Sequence, residues 1–222
     1  MFKFNRVILI LLVILLVAMT VPTFTQEDNI LIMARAVDNT GLDPHTQTSF
    51  ASIRMLAMIY EPLVTTDHEL NIAPALATSW EFSDDAMTLT MALREGVTFH
   101  DGSDFTADDV IASFERLLDE ETASAARTNY LSIVSMDAPD DYTVVFNLSQ
   151  SDVPLLSAMA STNAAILSAD VIANGDPSAD TNGTGPFMLE EWIPEETTTL
   201  AANTDWWGEG PFIDGIEIRI LP

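Results

Sequence analysis

Residues 60–118 read YEPLVTTDHELNIAPALATSWEFSDDAMTLTMALREGVTFHDGSDFTADDVIASFERLL, and their order decides the fold. Tyr60, Leu56, Ile53 and Phe50 fall at helical spacing, and Pro62 ends that helix or lies just past it, because proline lacks the N–H a helix interior needs. Leu63 to Thr65 and Ser79 to Phe82 read as short strands. Asp84-Asp85 supplies a turn. Met87, Leu89, Met91 and Leu93 then alternate with Thr and Ala, the pattern of a half-buried strand. Past the loop Phe99-His100-Asp101-Gly102, Thr106 stands at a helix N-cap with Asp108 and Asp109 in the first turn, where acids favour the positive end of the dipole. Val110, Ile111, Phe114, Leu117 and Leu118 make one apolar stripe on that helix.

Working outward, Ile30 to Val37 is a continuous apolar run suited to a buried strand, closed by the turn residues Asp38-Asn39-Thr40-Gly41. Ile133 to Met136 and Thr143 to Leu148 flank Pro139-Asp140-Asp141 as a hairpin. Val153 to Ala160 reads as a short helix starting near Pro154, Ala164 to Leu167 as a strand, and Ala169 to Ala173 as a brief helix. Phe187 to Trp192, Thr197 to Ala202 and Ile213 to Leu221 read as strands. The sum is an α+β mixture with many short strands, and it stops within a strand at Ile220-Leu221-Pro222.

Lys3 and Arg6 precede a run from Val7 to Met19 without a polar side chain, followed by Thr20, Val21 and Pro22. A basic start and a short apolar core describe a secretory signal over residues 1–26. A looser count, residues 7–24, approaches the length of a membrane anchor. Both readings place the body outside the cytoplasm, periplasmic or at the outer face of the membrane. Cysteine is absent, which excludes disulfides, thiolate metal sites and a lipidated cysteine after the signal. Eight Lys and Arg face 34 Asp and Glu, a net charge of −26. Like-charge repulsion excludes nucleic acid as a partner. The acidic surface reads either as solubilising, as in a saline habitat, or as a field for cationic solutes.

Seven separated segments carry a resemblance. They are Leu42-Asp43-Pro44; Tyr60-Glu61-Pro62-Leu63-Val64; Pro74-Ala75-Leu76-Ala77 with Ser79 and Trp80; Leu93 through Gly102; Thr106-Ala107-Asp108-Asp109-Val110; Gly183-Thr184-Gly185-Pro186-Phe187; and Asn203 with Asp205-Trp206-Trp207-Gly208. In this order the chain resembles the extracytoplasmic solute-binding proteins of family 5, the receptors of peptide and nickel ABC importers. The resemblance implies a mixed-sheet lobe with an extra subdomain of the two-lobed periplasmic-binding-protein (type II) fold. Family members are roughly twice as long and hold ligand between two hinged lobes, so residues 27–222 match the first lobe and subdomain, with the second lobe missing. The expectation is a truncated product, a fragment or half of a split receptor.

Several residues have two readings. Thr48, Ser49 and Phe50 match, by resemblance, a ligand-contacting segment whose backbone pairs with an extended peptide; alternatively Ser49 caps a helix and Phe50 enters the core. Gly183, Thr184 and Gly185 form a loop that the resemblance places near the cleft, or a purely structural turn. Tyr130 lies on the cleft rim or packs in the core. The four tryptophans, Trp80, Trp192, Trp206 and Trp207, stack on ligand or fill core. His45, His68 and His100 lack metal-ligand spacing, and His100-Asp101-Gly102 reads as a turn. No phosphate loop, nucleophile elbow or zinc helix appears. The expected function is the substrate-binding component of an ABC importer, taking peptides or similar small solutes to a membrane permease, with no cofactor and no catalysis. The alternatives are a membrane-anchored surface or sensory module, an inactive fragment, and, more remotely, a hydrolase.

Overall fold

The computed structural model describes residues 29–221, so the apolar leader lies outside the described residues. The elements run β1 (Ile30–Arg35), α1 (Phe50–Ile59), β2 (Val64–Thr66), β3 (Ile72–Pro74), β4 (Ala77–Phe82), β5 (Thr88–Leu93), α2 (Ala107–Leu118), β6 (Ile133–Asp140), β7 (Thr143–Leu148), α3 (Leu155–Met159), α4 (Ala169–Asn174), β8 (Phe187–Ile193), β9 (Thr197–Ala202) and β10 (Gly215–Ile220). They form a four-stranded sheet ordered β1-β10-β9-β8, a β2-β3 ribbon, and a second four-stranded sheet ordered β4-β5-β7-β6.

In the second sheet all neighbours are antiparallel. Strand β5 buries Leu89, Met91 and Leu93 and turns Thr90 and Ala92 outward, as its alternation requires. Strand β7 does the same with Val144, Phe146 and Leu148. Helix α2 lays its apolar stripe on this face. Phe114 meets Tyr130 and Phe146 edge to face, with centroids 5.6 and 5.2 Å apart. At its start, Asp109 accepts from the Thr106 backbone N–H (2.8 Å) and hydroxyl (3.2 Å), while its other oxygen accepts from the Ala169 N–H at 2.8 Å. One carboxylate thereby caps α2 and ties it to α4.

In the first sheet β1 runs parallel to β10, Ile30 beside Gly215 and Arg35 beside Ile220, so the two ends of the described chain meet. The remaining pairs are antiparallel. Helix α1 buries Met55, Leu56 and Ile59 in a second core with Leu200, Ile216 and Ile218.

Two strand expectations fail in instructive ways. The run at Ile30 is a strand but not a buried one: Ile30 to Met33 are between 42% and 55% exposed. An apolar run predicts extended backbone, yet burial needs neighbours, and among the described residues only β10 pairs with it. Ala164 to Leu167 is buried but is not a strand. Its backbone is satisfied by single bonds: Ile166 N–H to the Glu61 carbonyl (2.9 Å), and Leu167 to the Ser113 hydroxyl in both directions.

Candidate functional site

The loop between β1 and α1 is held by a buried ion pair. Arg116 of α2 donates to both carboxylate oxygens of Asp43, at 3.1 and 2.6 Å, and to Nδ1 of His45 at 3.0 Å. His45 Nε2 lies 2.9 Å from the Ala165 carbonyl. A carbonyl only accepts, so Nε2 carries the proton and Nδ1 accepts from Arg116. Burial, with Arg116 adding to it, pushes the imidazole down to about 4. His45 is a neutral structural wedge near pH 7, with both ring nitrogens engaged by Ala165 and Arg116.

A second junction gathers most of the motif segments around Glu61. Its carboxylate accepts from the Thr184 hydroxyl (3.0 Å), the Trp207 indole (2.8 Å) and the Trp206 indole (3.3 Å). Arg94 stacks on Trp207, 3.9 Å from the ring centroid. Burial raises the Glu61 carboxyl, and these donors act against the rise. The Gly183–Gly185 loop closes on the end of α1: the Gly185 N–H donates to the Ile59 carbonyl at 2.8 Å. A Cβ on Gly183 would lie 2.1 Å from the Ile59 oxygen, and one on Gly185 2.7 Å from the Ile59 carbonyl carbon. Both glycines exist for this approach. His100 completes the clasp, its backbone N–H on the Gly183 carbonyl and Nε2 2.9 Å from the Gly185 carbonyl.

The structure therefore separates the candidate residues into three places. Gly183, Thr184 and Gly185 are buried at the C-terminal end of α1. Tyr130 is fully buried, its hydroxyl donating to the Ala158 carbonyl at 2.7 Å, so it lies in the core and not on a rim. Thr48, Ser49 and Phe50 stand at the opposite end of α1, about 15 Å from the glycine loop for a helix of this length. There Phe50 is 70% exposed, outside the core, and Ser49 occupies the N-cap position with no side-chain capping bond. Of the tryptophans, Trp192 donates to Asp38, and Trp80 packs on the core of the second sheet.

Ser49 and Phe50 border an open concavity of about 670 Å³ between α1 and β1. Met33, Val37 and Met58 supply apolar wall, and Arg35 and Arg54 are its charged residues. Arg54 was not among the residues singled out from sequence. The available signal was its spacing, four residues after Phe50 on one helix face. Among the described residues no group of three or more His, Asp or Glu is arranged to hold a metal ion, and no helix is long and apolar enough to cross a membrane.

The chain is thus a mixed α+β body whose polar motifs join two sheets, with an open apolar wall beside one helix. The chain belongs to the bacterial extracellular solute-binding proteins, family 5, whose middle-region model matches residues 71–222. It is 31% identical to the probable D,D-dipeptide-binding periplasmic protein DdpA of Escherichia coli, over 87% of this chain and 39% of that protein. Identity to the oligopeptide-binding protein AppA of Bacillus subtilis is 29%, over 89% and 38% respectively. Among solved structures, the binding protein AgaA in complex with agropinic acid from A. tumefaciens superposes with a TM-score of 0.82 at 30% identity, covering 86% of this chain and 40% of AgaA. DppA from Helicobacter pylori in complex with the peptide STSA gives 0.77 at 32% identity, over 87% and 43%. The chain spans about two-fifths of the length of these relatives.

Proposed function

We propose that residues 27–222 form the first lobe and extra subdomain of a substrate-binding component of an ABC importer. The lobe captures peptides or similar small solutes outside the cytoplasmic membrane and passes them to a permease, without making or breaking a bond. What carries this reading is the corner of the concavity where half-buried Ser49 meets exposed Phe50, in a chain whose relatives are named for dipeptides and oligopeptides. Ser49 has extended backbone (φ −71°, ψ 124°), suited to lying alongside an extended peptide. A single wall buries only part of a small ligand, so affinity is expected to be weak, in the millimolar range or about 4 kcal/mol.

The test is saturation-transfer NMR of the 222-residue chain with a mixture of dipeptides and tripeptides. Transfer to peptide protons, lost in Phe50→Ala while the fold signature in circular dichroism persists, is the expected result. Equal transfer in the variant places the contact elsewhere. No transfer from any peptide removes the reading.

A further inference from the structure

We infer that the concavity beside α1 receives a carboxylate-bearing part of the solute, with Arg54 as its ionic partner and Phe50 beside it as apolar seat. This rests on the reading of that wall as the solute-binding surface and names the chemistry it selects.

The argument starts from charge. The chain carries 34 acids against eight bases, yet no Asp or Glu borders the concavity, while two of the six arginines among the described residues do. The other arginines are engaged. Arg116 pairs with Asp43, Arg127 with Glu120, Arg219 with Glu217, and Arg35 lies 3.8 Å from Asp38. Arg94 stacks on Trp207 and donates to the Ala75 carbonyl. Arg54 is exposed and, among the described residues, its side chain has no carboxylate within 4.0 Å and no hydrogen bond. In so acidic a chain, an unpaired guanidinium in an acid-free hollow is not what random placement of charge provides.

Position supports the assignment. The Arg54 guanidinium lies over the Phe50 ring, 4.8 Å from its centroid, one helical turn along the same face. The ring restrains the side chain by cation–π attraction and leaves the guanidinium edge, with its forked donors, free for a carboxylate. Met33, Val37 and Met58 offer apolar surface to the rest of the ligand. The solute class this defines is a small molecule pairing a carboxylate with an apolar side chain, of which a peptide's C-terminal residue is one example. The body's negative field opposes anions at long range, so selection acts at contact and not through steering.

Trileucine, its C-terminal amide and its N-acetyl form separate the possibilities in NMR titrations of the full chain. The wild type is expected to hold the two acids alike and the amide about tenfold more weakly, one charge-assisted contact's worth. Arg54→Gln is expected to remove the acid–amide gap, and Arg54→Lys to restore part of it. The Arg54 Nε–H resonance should shift with the acids and not with the amide. Equal binding of acid and amide, or a gap that survives in Arg54→Gln, overturns the assignment while leaving the wall as a solute surface. Weaker binding of the N-acetyl form with no acid–amide gap also overturns it, pointing to recognition of the amino group. Failure of all three to bind overturns both this inference and the function on which it rests.

Discussion

His45 and the glycines of the Gly-Thr-Gly loop show how single residues hold the fold. His45 is pushed down to about 4 by burial. Between roughly pH 6.5 and 4 the unfolded chain binds a proton at this site that the folded chain refuses, so its contribution falls as pH drops, and the loss is complete below about 4. The loss is on the order of 3 kcal/mol. Glu61, raised by burial, acts with the opposite sign, because its buried charge is relieved as pH falls. Urea midpoints of wild type and His45→Gln across this window isolate the histidine. The wild type should lose more stability on acidification, and parallel curves would show that His45 titrates alike in both states. Gly185→Ala is a second test at this scale. The added Cβ meets backbone atoms of Met58 and Ile59, which yield only if the end of α1 moves, so a loss of about 2–4 kcal/mol is expected. At Gly102 (φ +86°) nothing lies within 4 Å of the new Cβ, and the same change costs only the backbone strain of about 1–2 kcal/mol. Denaturation of both variants distinguishes contact from strain.

Among the elements, α2 is the one on which the two cores lean. Its stripe packs on the second sheet, Arg116 on its other side holds the loop before α1, and Asp109 fixes α4. Asp109→Ala is therefore expected to cost more than the ~1 kcal/mol of an isolated cap, since it also orphans the Ala169 N–H; about 2–3 kcal/mol is the expected loss. Asp109→Asn, which keeps one acceptor oxygen, should recover part of it in the same melts. If the two variants are equally stable, the carboxylate's second bond contributes nothing. Strand β1 is the contrasting element. It takes its place through one parallel ladder with β10, and its apolar side chains remain half in solvent.

At the scale of the molecule, charge is the dominant feature. Self-repulsion at a net charge of −26 opposes compaction, and salt screens it with a Debye length of about 10 Å at 0.1 M. The melting temperature should rise as sodium chloride is added, by about 2–4 °C for each kcal/mol of repulsion relieved. Scanning calorimetry checks this, and a fall with salt would mean that the few ion pairs outweigh the repulsion. The same screening should weaken an ionic contact at Arg54, so stability and carboxylate binding are expected to respond to salt in opposite directions.

Elements with strong periodicity were legible without coordinates. The alternation of β5, the stripe and cap of α2, the β6–β7 hairpin, the helix stop near Pro62 and the turn at Asp84-Asp85 all follow from local backbone preference and one-sided burial. The motif spacings likewise carried the family, because turns such as Gly-Thr-Gly and His-Asp-Gly demand particular residues at fixed positions. The exposure of β1, the non-strand path of Ala164 to Leu167, the choice of core over rim for Tyr130 and the roughly 15 Å between the two ends of α1 were not legible. Nor was the freedom of Arg54, since an arginine's pairing depends on which of 34 acids the folded chain brings within about 4 Å. Periodicity reports which face of a segment is apolar; only the arrival of remote strands and side chains decides what that face, or that charge, meets.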